Sequence, residues 1–167
     1  MIFKITKICI VLFLFKTAVA QNSIEVGEWQ NDVGFLNKEN SVVIAKAFAR
    51  TFGDGFKTNG IRIEKYGNIF YLISNSELQN KSRITAIDLK FEGNKLVVNS
   101  NSELKSCTSS ACEKCGFFFE NKKIIACLCL NTKTISNHCH YKHSSANDFL
   151  NNLLRAKQML EQKEKLD

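Results

Sequence analysis

The sequence predicts an α+β fold, in which an N-terminal helix packs on an antiparallel meander of about six strands, arranged as three hairpins. Apolar residues recur every three or four positions in two segments, one on each side of a central region, which is typical of helices that bury one face. In that central region, segments with alternating apolar and polar residues flank Gly-Asn pairs, which is typical of antiparallel hairpins.

The first helix is predicted over residues 38–52. Its apolar positions fall on one face, formed by Val43, Ile44, Ala47, Phe48 and Phe52. Asn37 is a plausible N-cap, and Gly53 is a suitable C-terminal stop. Residues 21–36 precede this helix and are expected to form an irregular lead-in that packs on the core.

Three hairpins are expected after the helix. The first joins strands 61–66 and 69–73, and the second joins strands 84–91 and 95–98. Each has a Gly-Asn pair at its turn, and glycine at the first central position is what a type II′ turn requires. A third, cysteine-rich hairpin is expected to join segments 116–119 and 124–130 through a polar turn.

A long amphipathic helix is predicted over residues 146–165. Ser145 and Asp148 have the spacing of a capping box. The apolar stripe of the helix comprises Phe149, Leu150, Leu153, Leu154 and Leu160. We expect this stripe to pack on the protein's own sheet, and the alternative is contact with a partner or with a second copy.

Residues 1–20 have the layout of a secretory signal, with Lys4 and Lys7 before an apolar run and small residues up to Ala20. We expect cleavage after Ala20, so that residues 21–167 form a single α+β domain in a secreted or periplasmic protein with no membrane span. An uncleaved anchor is the alternative. The formal net charge is +7, but the lysines are scattered, which does not indicate nucleic-acid binding.

Six of the seven cysteines lie within residues 107–139, in an order typical of a disulfide framework: Cys107, Cys112, Cys115, Cys127, Cys129 and Cys139. Six cysteines allow 15 pairings, and the sequence leaves the choice open. If Phe119 pairs with Ile124 in the third hairpin, Lys114 lies opposite Cys129. Cys112 then shares a face with Cys127 and Cys129, whereas Cys115 lies on the other face.

All three histidines lie within residues 138–143, beside these cysteines. Imidazole and thiolate together are ligands for zinc or copper. The alternative to a disulfide framework is therefore a metal site drawn from Cys112, Cys115, Cys127, Cys129, His138, Cys139, His140 and His143. A further alternative is a thiol oxidoreductase that uses Cys112 and Cys115, although the residues that follow them favour a strand rather than a helix.

The sequence contains neither a G-x-S-x-G nor an H-E-x-x-H motif, and it shows no paired carboxylates that would indicate hydrolysis. We therefore assign no catalytic residue and no cofactor. The sequence favours a secreted or periplasmic, disulfide-stabilised domain that binds a protein or another extracellular ligand.

Overall fold

A computed structural model describes residues 23–36, 38–131, 133–135 and 138–165. The predicted signal segment and the predicted N-cap Asn37 lie outside these residues. About 55% of the described residues are in strands and 23% in helices. The predicted α+β fold with about six strands is therefore wrong, because the protein is mostly β and contains eleven described strands.

Along the chain, nine of the eleven described strands lie between the two helices. The elements are β1 Ser23–Gln30, β2 Val33–Phe35, α1 Lys38–Phe52, β3 Lys57–Tyr66, β4 Ile69–Leu78, β5 Lys81–Glu92, β6 Lys95–Asn99, β7 Glu103–Ser109, β8 Cys115–Glu120, β9 Lys123–Cys129, β10 Thr134–Ile135, β11 Cys139–Ser145 and α2 Asn147–Glu164. The helices and the three predicted hairpins are confirmed, with β3–β4, β5–β6 and β8–β9 as the hairpins.

Eight strands form one antiparallel sheet, and β8, β9 and β10 form a second, smaller sheet. In the large sheet β5 pairs with three strands, namely β4, β6 and β7. The sheet curves until β2 lies against β3, so that it is nearly closed. At this contact the two backbones approach closely, since a Cβ atom added to Gly34 would lie 2.5 Å from Ile63 Cβ.

The predicted fold class is wrong mainly because four strands were not expected, namely β1, β2, β7 and β11. Residues predicted as an irregular lead-in form the β1–β2 hairpin, whose turn residues Asn31 and Asp32 both have positive φ. The alternation of β1 is interrupted by a bulge between Glu25 and Gly27, which hides the strand pattern. Strands β7 and β11 are rich in polar residues, and an apolar period does not reveal such strands.

The large sheet is covered on both faces. Side chains alternate along β4, so Phe70 and Leu72 pack in the cluster under the two helices, whereas Tyr71 and Ile73 pack in the cluster under the small sheet. The helix cluster contains the apolar face of α1, and the small-sheet cluster contains all six C-terminal cysteines. The small sheet therefore lies on the face of β4, β5 and β7 opposite to the helices.

Helix α2 packs as a core helix, with one difference from the predicted stripe. Phe149, Leu150, Leu153 and Ala156 are buried, whereas Leu154 is 37% exposed. The predicted capping box is wrong: the N-cap is Ala146, and no side chain among the described residues caps the helix. The Ala146 backbone N–H instead donates to the Ser102 carbonyl at 2.9 Å.

Arg83 of β5 anchors the loop that follows α1. Its guanidinium lies about 4 Å from the ring centroids of Phe52 and Phe56. It also donates to the Asp54 carboxylate at 3.1 Å and to the Thr108 hydroxyl at 2.9 Å. The Arg83 side chain is only 8% exposed, so its charge would be costly to bury without partners. These contacts compensate that cost.

Candidate functional site

An open cleft of about 780 Å³ lies between the large sheet and the small sheet. It is lined by residues of β4, β5, β7, β9 and β11 and by the turns next to them. We call this feature the inter-sheet cleft and describe it by its charged floor and its apolar rim. The floor comprises Tyr71, Asp88, Glu103, Lys105 and His143, and the rim comprises Phe91, Ile125 and Tyr141.

Lys105 is the centre of the floor. Its side chain is only 7% exposed, and its Nζ donates to both Asp88 carboxylate oxygens at 2.9 and 3.0 Å and to Glu103 at 2.7 Å. Strand register brings these groups together, because Lys105 lies opposite His143 of β11 and Ala86 of β5. The His143 Nε2 atom lies 3.3 Å from the Glu103 carboxylate and extends the network to the cleft opening.

The ionic network keeps Lys105 charged. Burial opposes that charge, but the hydrogen bonds from Lys105 to Glu103 and Asp88 outweigh burial and raise the pKa of the ammonium group. The same hydrogen bond lowers the pKa of Glu103, whereas burial raises the pKa of Asp88. A lysine whose pKa is raised stays protonated at neutral pH, so Lys105 is not available there as a nucleophile or a base.

Two tyrosines complete the polar part of the cleft. Tyr71 is almost fully buried, and its ring centroid lies 6.0 Å from the Lys105 Nζ. Burial raises the pKa of both Tyr71 and Tyr141. Both hydroxyls therefore remain protonated at neutral pH and are suited to hydrogen bonding rather than to proton abstraction.

The rim of the cleft exposes large apolar side chains. Phe91 is 48% exposed, Ile125 is 43% exposed and Tyr141 is 37% exposed. Ile125 is the unpaired residue of a bulge in β9, since Phe118 pairs with Ala126 and Phe119 pairs with Ile124. A bulge re-aims the side chain of its extra residue, and here that residue lines the cleft.

Three disulfides hold the small sheet against the large one. They join Cys107 to Cys127, Cys112 to Cys129 and Cys115 to Cys139. The first bridge connects β7 to β9, and the third connects β8 to β11. The predicted disulfide framework is thus present, and it fixes the two walls of the inter-sheet cleft relative to each other. Several disulfides are consistent with an extracellular or other oxidising compartment.

The predicted register of the third hairpin is wrong by one residue, because of the bulge at Ile125. Phe119 pairs with Ile124 as expected, but Cys115 rather than Lys114 lies opposite Cys129. Directly opposed residues in antiparallel strands point to the same face. Cys115 therefore shares a face with Cys129, contrary to the prediction.

The fold brings together only some of the candidate ligands of the alternative metal site. The Sγ atoms of Cys112, Cys115 and Cys139 lie within 4.8 Å of one another, but every cysteine of the predicted set belongs to a disulfide. His143 faces Glu103 in the cleft, and His140 is an exposed residue of β11. Zinc or copper binding stays a prediction, and it requires thiolates that the oxidised protein does not offer.

The thiol oxidoreductase alternative rests on Cys112 and Cys115. These two cysteines are not bonded to each other, and Cys115 begins strand β8. Redox-active pairs obtain a low thiolate pKa from the N-terminus of a helix. The local structure after Cys115 is a strand and does not provide this feature.

Of the ionic residues of the cleft, the sequence singles out only His143, as a candidate metal ligand, and it does not indicate Asp88, Glu103 or Lys105. Asp88 alternates with buried Ile87 and Leu89 in β5, which predicts a solvent-facing position. The small sheet covers that face through a cluster that contains apolar side chains and the six bridged cysteines, and no local sequence pattern predicts this contact. One signal is present in the sequence, namely the charged residues Glu103 and Lys105 close before Cys107.

Comparison with protein-family models, with curated proteins and with solved structures found no significant match for this chain. Among the described residues, neither helix has the length and apolar character needed to cross a lipid bilayer.

Proposed function

We propose that this protein is a secreted or periplasmic, disulfide-stabilised binding protein whose ligand occupies the inter-sheet cleft. The observation that carries the proposal is the combination of an exposed apolar rim with a polar floor in which Lys105 is paired with the carboxylates of Asp88 and Glu103. Exposed apolar residues grouped around a concave site are typical of binding surfaces. Here three such residues surround one cleft of about 780 Å³.

Binding is favoured over catalysis by the state of the floor. Lys105 is paired with two carboxylates, and the two tyrosine hydroxyls have raised pKa values. A catalytic base or nucleophile needs a pKa near the working pH or an activating partner. Lys105 and Tyr71 are buried and hold the floor together, whereas the partly exposed Glu103 carboxylate and the Tyr141 hydroxyl on the rim are suited to hydrogen bonding with a ligand.

The disulfides support a preformed binding site. They connect the small sheet to β7, to β11 and to the segment between β7 and β8. A site whose walls are fixed before binding loses less conformational entropy when the ligand arrives. We therefore propose that the three bridges serve binding as well as stability.

The proposal is tested with 8-anilinonaphthalene-1-sulfonate, an aromatic probe whose fluorescence rises in apolar sites. The double variant Phe91→Ala/Ile125→Ala removes two rim side chains. We expect its affinity for the probe to fall about tenfold, because losing roughly 60 Å² of apolar contact corresponds to about 1.4 kcal/mol.

A matched control is offered by β2, where Val33 and Phe35 are 50% and 52% exposed and lie outside the inter-sheet cleft. Val33→Ala/Phe35→Ala removes a similar apolar area, and we expect it to leave probe affinity unchanged. Equal losses in the two double variants, or no saturable binding to the native protein, would contradict the proposal.

A further inference from the structure

We propose that Cys112, Cys115, Cys129 and Cys139 form a thiol-exchange centre. In this centre a small-molecule thiol converts two of the disulfides into a second pair, Cys112–Cys115 and Cys129–Cys139. The third bridge, Cys107–Cys127, takes no part. The site is distinct from the inter-sheet cleft, and its substrate class is low-molecular-weight thiols such as glutathione.

Sulfur atoms of the two bridges lie close together. Cys112, Cys115 and Cys139 bring their Sγ atoms within 4.8 Å of one another, although they belong to two different bridges. The fourth cysteine is adjacent, since Cys129 lies directly opposite Cys115 in the β8–β9 register. A Cys112 sulfur released from its bridge therefore already lies within 4.8 Å of both sulfurs of the other bridge.

The Cys112–Cys129 bridge is better placed for attack by an external thiol than the Cys107–Cys127 bridge. Cys112 and Cys129 are themselves only 6% and 5% exposed, but Cys112 lies in the bend between β7 and β8, where its neighbours Ala111, Glu113 and Lys114 are exposed, so that local opening of the bend uncovers the Cys112–Cys129 bridge. A short exposed bend opens locally at a lower free-energy cost than a strand in the centre of a sheet. By contrast, Cys107 is fully buried in β7 between two neighbouring strands, which keeps its bridge out of the exchange.

The exchange is balanced in atoms and electrons. The external thiolate attacks the Cys129 sulfur, forms a mixed disulfide there and releases the Cys112 thiolate. The Cys112 thiolate attacks the Cys115 sulfur, which forms the Cys112–Cys115 bond and releases the Cys139 thiolate. The Cys139 thiolate then attacks Cys129, which forms the last bond and releases the external thiol. The external thiol is a catalyst, and the protein is neither oxidised nor reduced overall.

Exchange would also change one wall of the cleft. Cys139 is the first residue of β11, and β11 carries Tyr141 and His143. Moving the bond of Cys139 from β8 to the end of β9 alters what holds this strand in place. This consequence rests on the proposed binding function, whereas the exchange reaction itself does not.

Trypsin separates the two isomers by mass. It cuts after Lys105, Lys114, Lys122, Lys123, Lys133 and Lys142, which leaves cysteine peptides 106–114, 115–122, 124–133 and 134–142. The native pairing gives two separate species, with 106–114 joined to 124–133 and 115–122 joined to 134–142. The exchanged pairing joins all four peptides in one covalent assembly.

The experiment incubates the native protein with substoichiometric reduced glutathione, blocks free thiols by alkylation and digests at mildly acidic pH. We expect the four-peptide assembly to rise from absent to at least about one tenth of the protein, the level for an isomer within about 1.4 kcal/mol of the native pairing. The number of free thiols per chain should not rise with it.

The double variant Cys115→Ser/Cys139→Ser is the control, because it keeps Cys112–Cys129 and removes the second bridge. It should accumulate glutathione on its cysteines and form no larger assembly. The proposal is overturned if the native protein acquires glutathione on Cys112 or Cys129 without forming the four-peptide assembly. It is also overturned if both native species persist until the whole chain unfolds. Either result leaves ligand binding in the cleft unaffected, so the two proposals fail separately.

Discussion

Replacing Leu153 by alanine is expected to lower the free energy of unfolding by about 2 to 5 kcal/mol. Leu153 is fully buried in the cluster that joins α2, α1 and the large sheet. Truncation leaves a cavity in a close-packed interior, and the neighbouring side chains fill it only in part. Chemical denaturation of the oxidised protein measures the loss.

The neighbouring residue supplies a matched control. Leu154 is 37% exposed, so Leu154→Ala should cost less than about 1 kcal/mol. The two variants have the same chemistry and the same helix propensity change, and they differ in burial. Similar losses for both variants would show that α2 does not pack on the core by the face described.

Replacing Lys105 by methionine is expected to destabilise the protein by about 3 kcal/mol. The change keeps much of the side-chain volume but leaves the Asp88 carboxylate without its cation. Breaking a buried ion pair from one side typically costs about 3 to 5 kcal/mol. The lower end applies because Asp88 is 28% exposed and Glu103 is 49% exposed, which lets water screen their charges.

Lys90 provides the comparison for this variant, because it lines the same cleft but is exposed. Lys90→Met should change the free energy of unfolding by no more than about 0.5 kcal/mol. Asp88→Asn in the Lys105→Met background should recover part of the loss, since it removes the stranded charge. A Lys105→Met protein as stable as the Lys90→Met protein would show that the floor network contributes no stability.

The elements predicted correctly from the sequence are those with local signals. Gly67 and Gly93 have positive φ in two-residue turns, as a type II′ hairpin requires, so both hairpins were identifiable from turn chemistry. The apolar stripes of α1 and α2 likewise predict their buried faces, apart from Leu154. These signals need no knowledge of the rest of the fold.

The features that were missed depend on long-range packing. Strand β7 buries Lys105 and Ser106, which no period-two apolar pattern predicts, and the partners of Lys105 come from β5 and from the start of β7. The bulge at Ile125 shifts the register by one residue, which changed the predicted face of Cys115. Charge pairing and bulges are set by tertiary contacts, so the cleft and the pairing of the cysteines were not predictable from spacing alone.

NMR mapping of the bound aromatic probe tests most directly whether the inter-sheet cleft is the ligand-binding site. Isotope-labelled protein is titrated with 8-anilinonaphthalene-1-sulfonate, and the perturbed backbone amides are placed on the structure. We expect the largest shifts in residues 69–71, 88–91 and 124–125 and in Tyr141 and His143, which line the cleft. Shifts concentrated instead around Val33 and Phe35 of β2, or around the exposed Leu154 and Met159 of α2, would contradict the account.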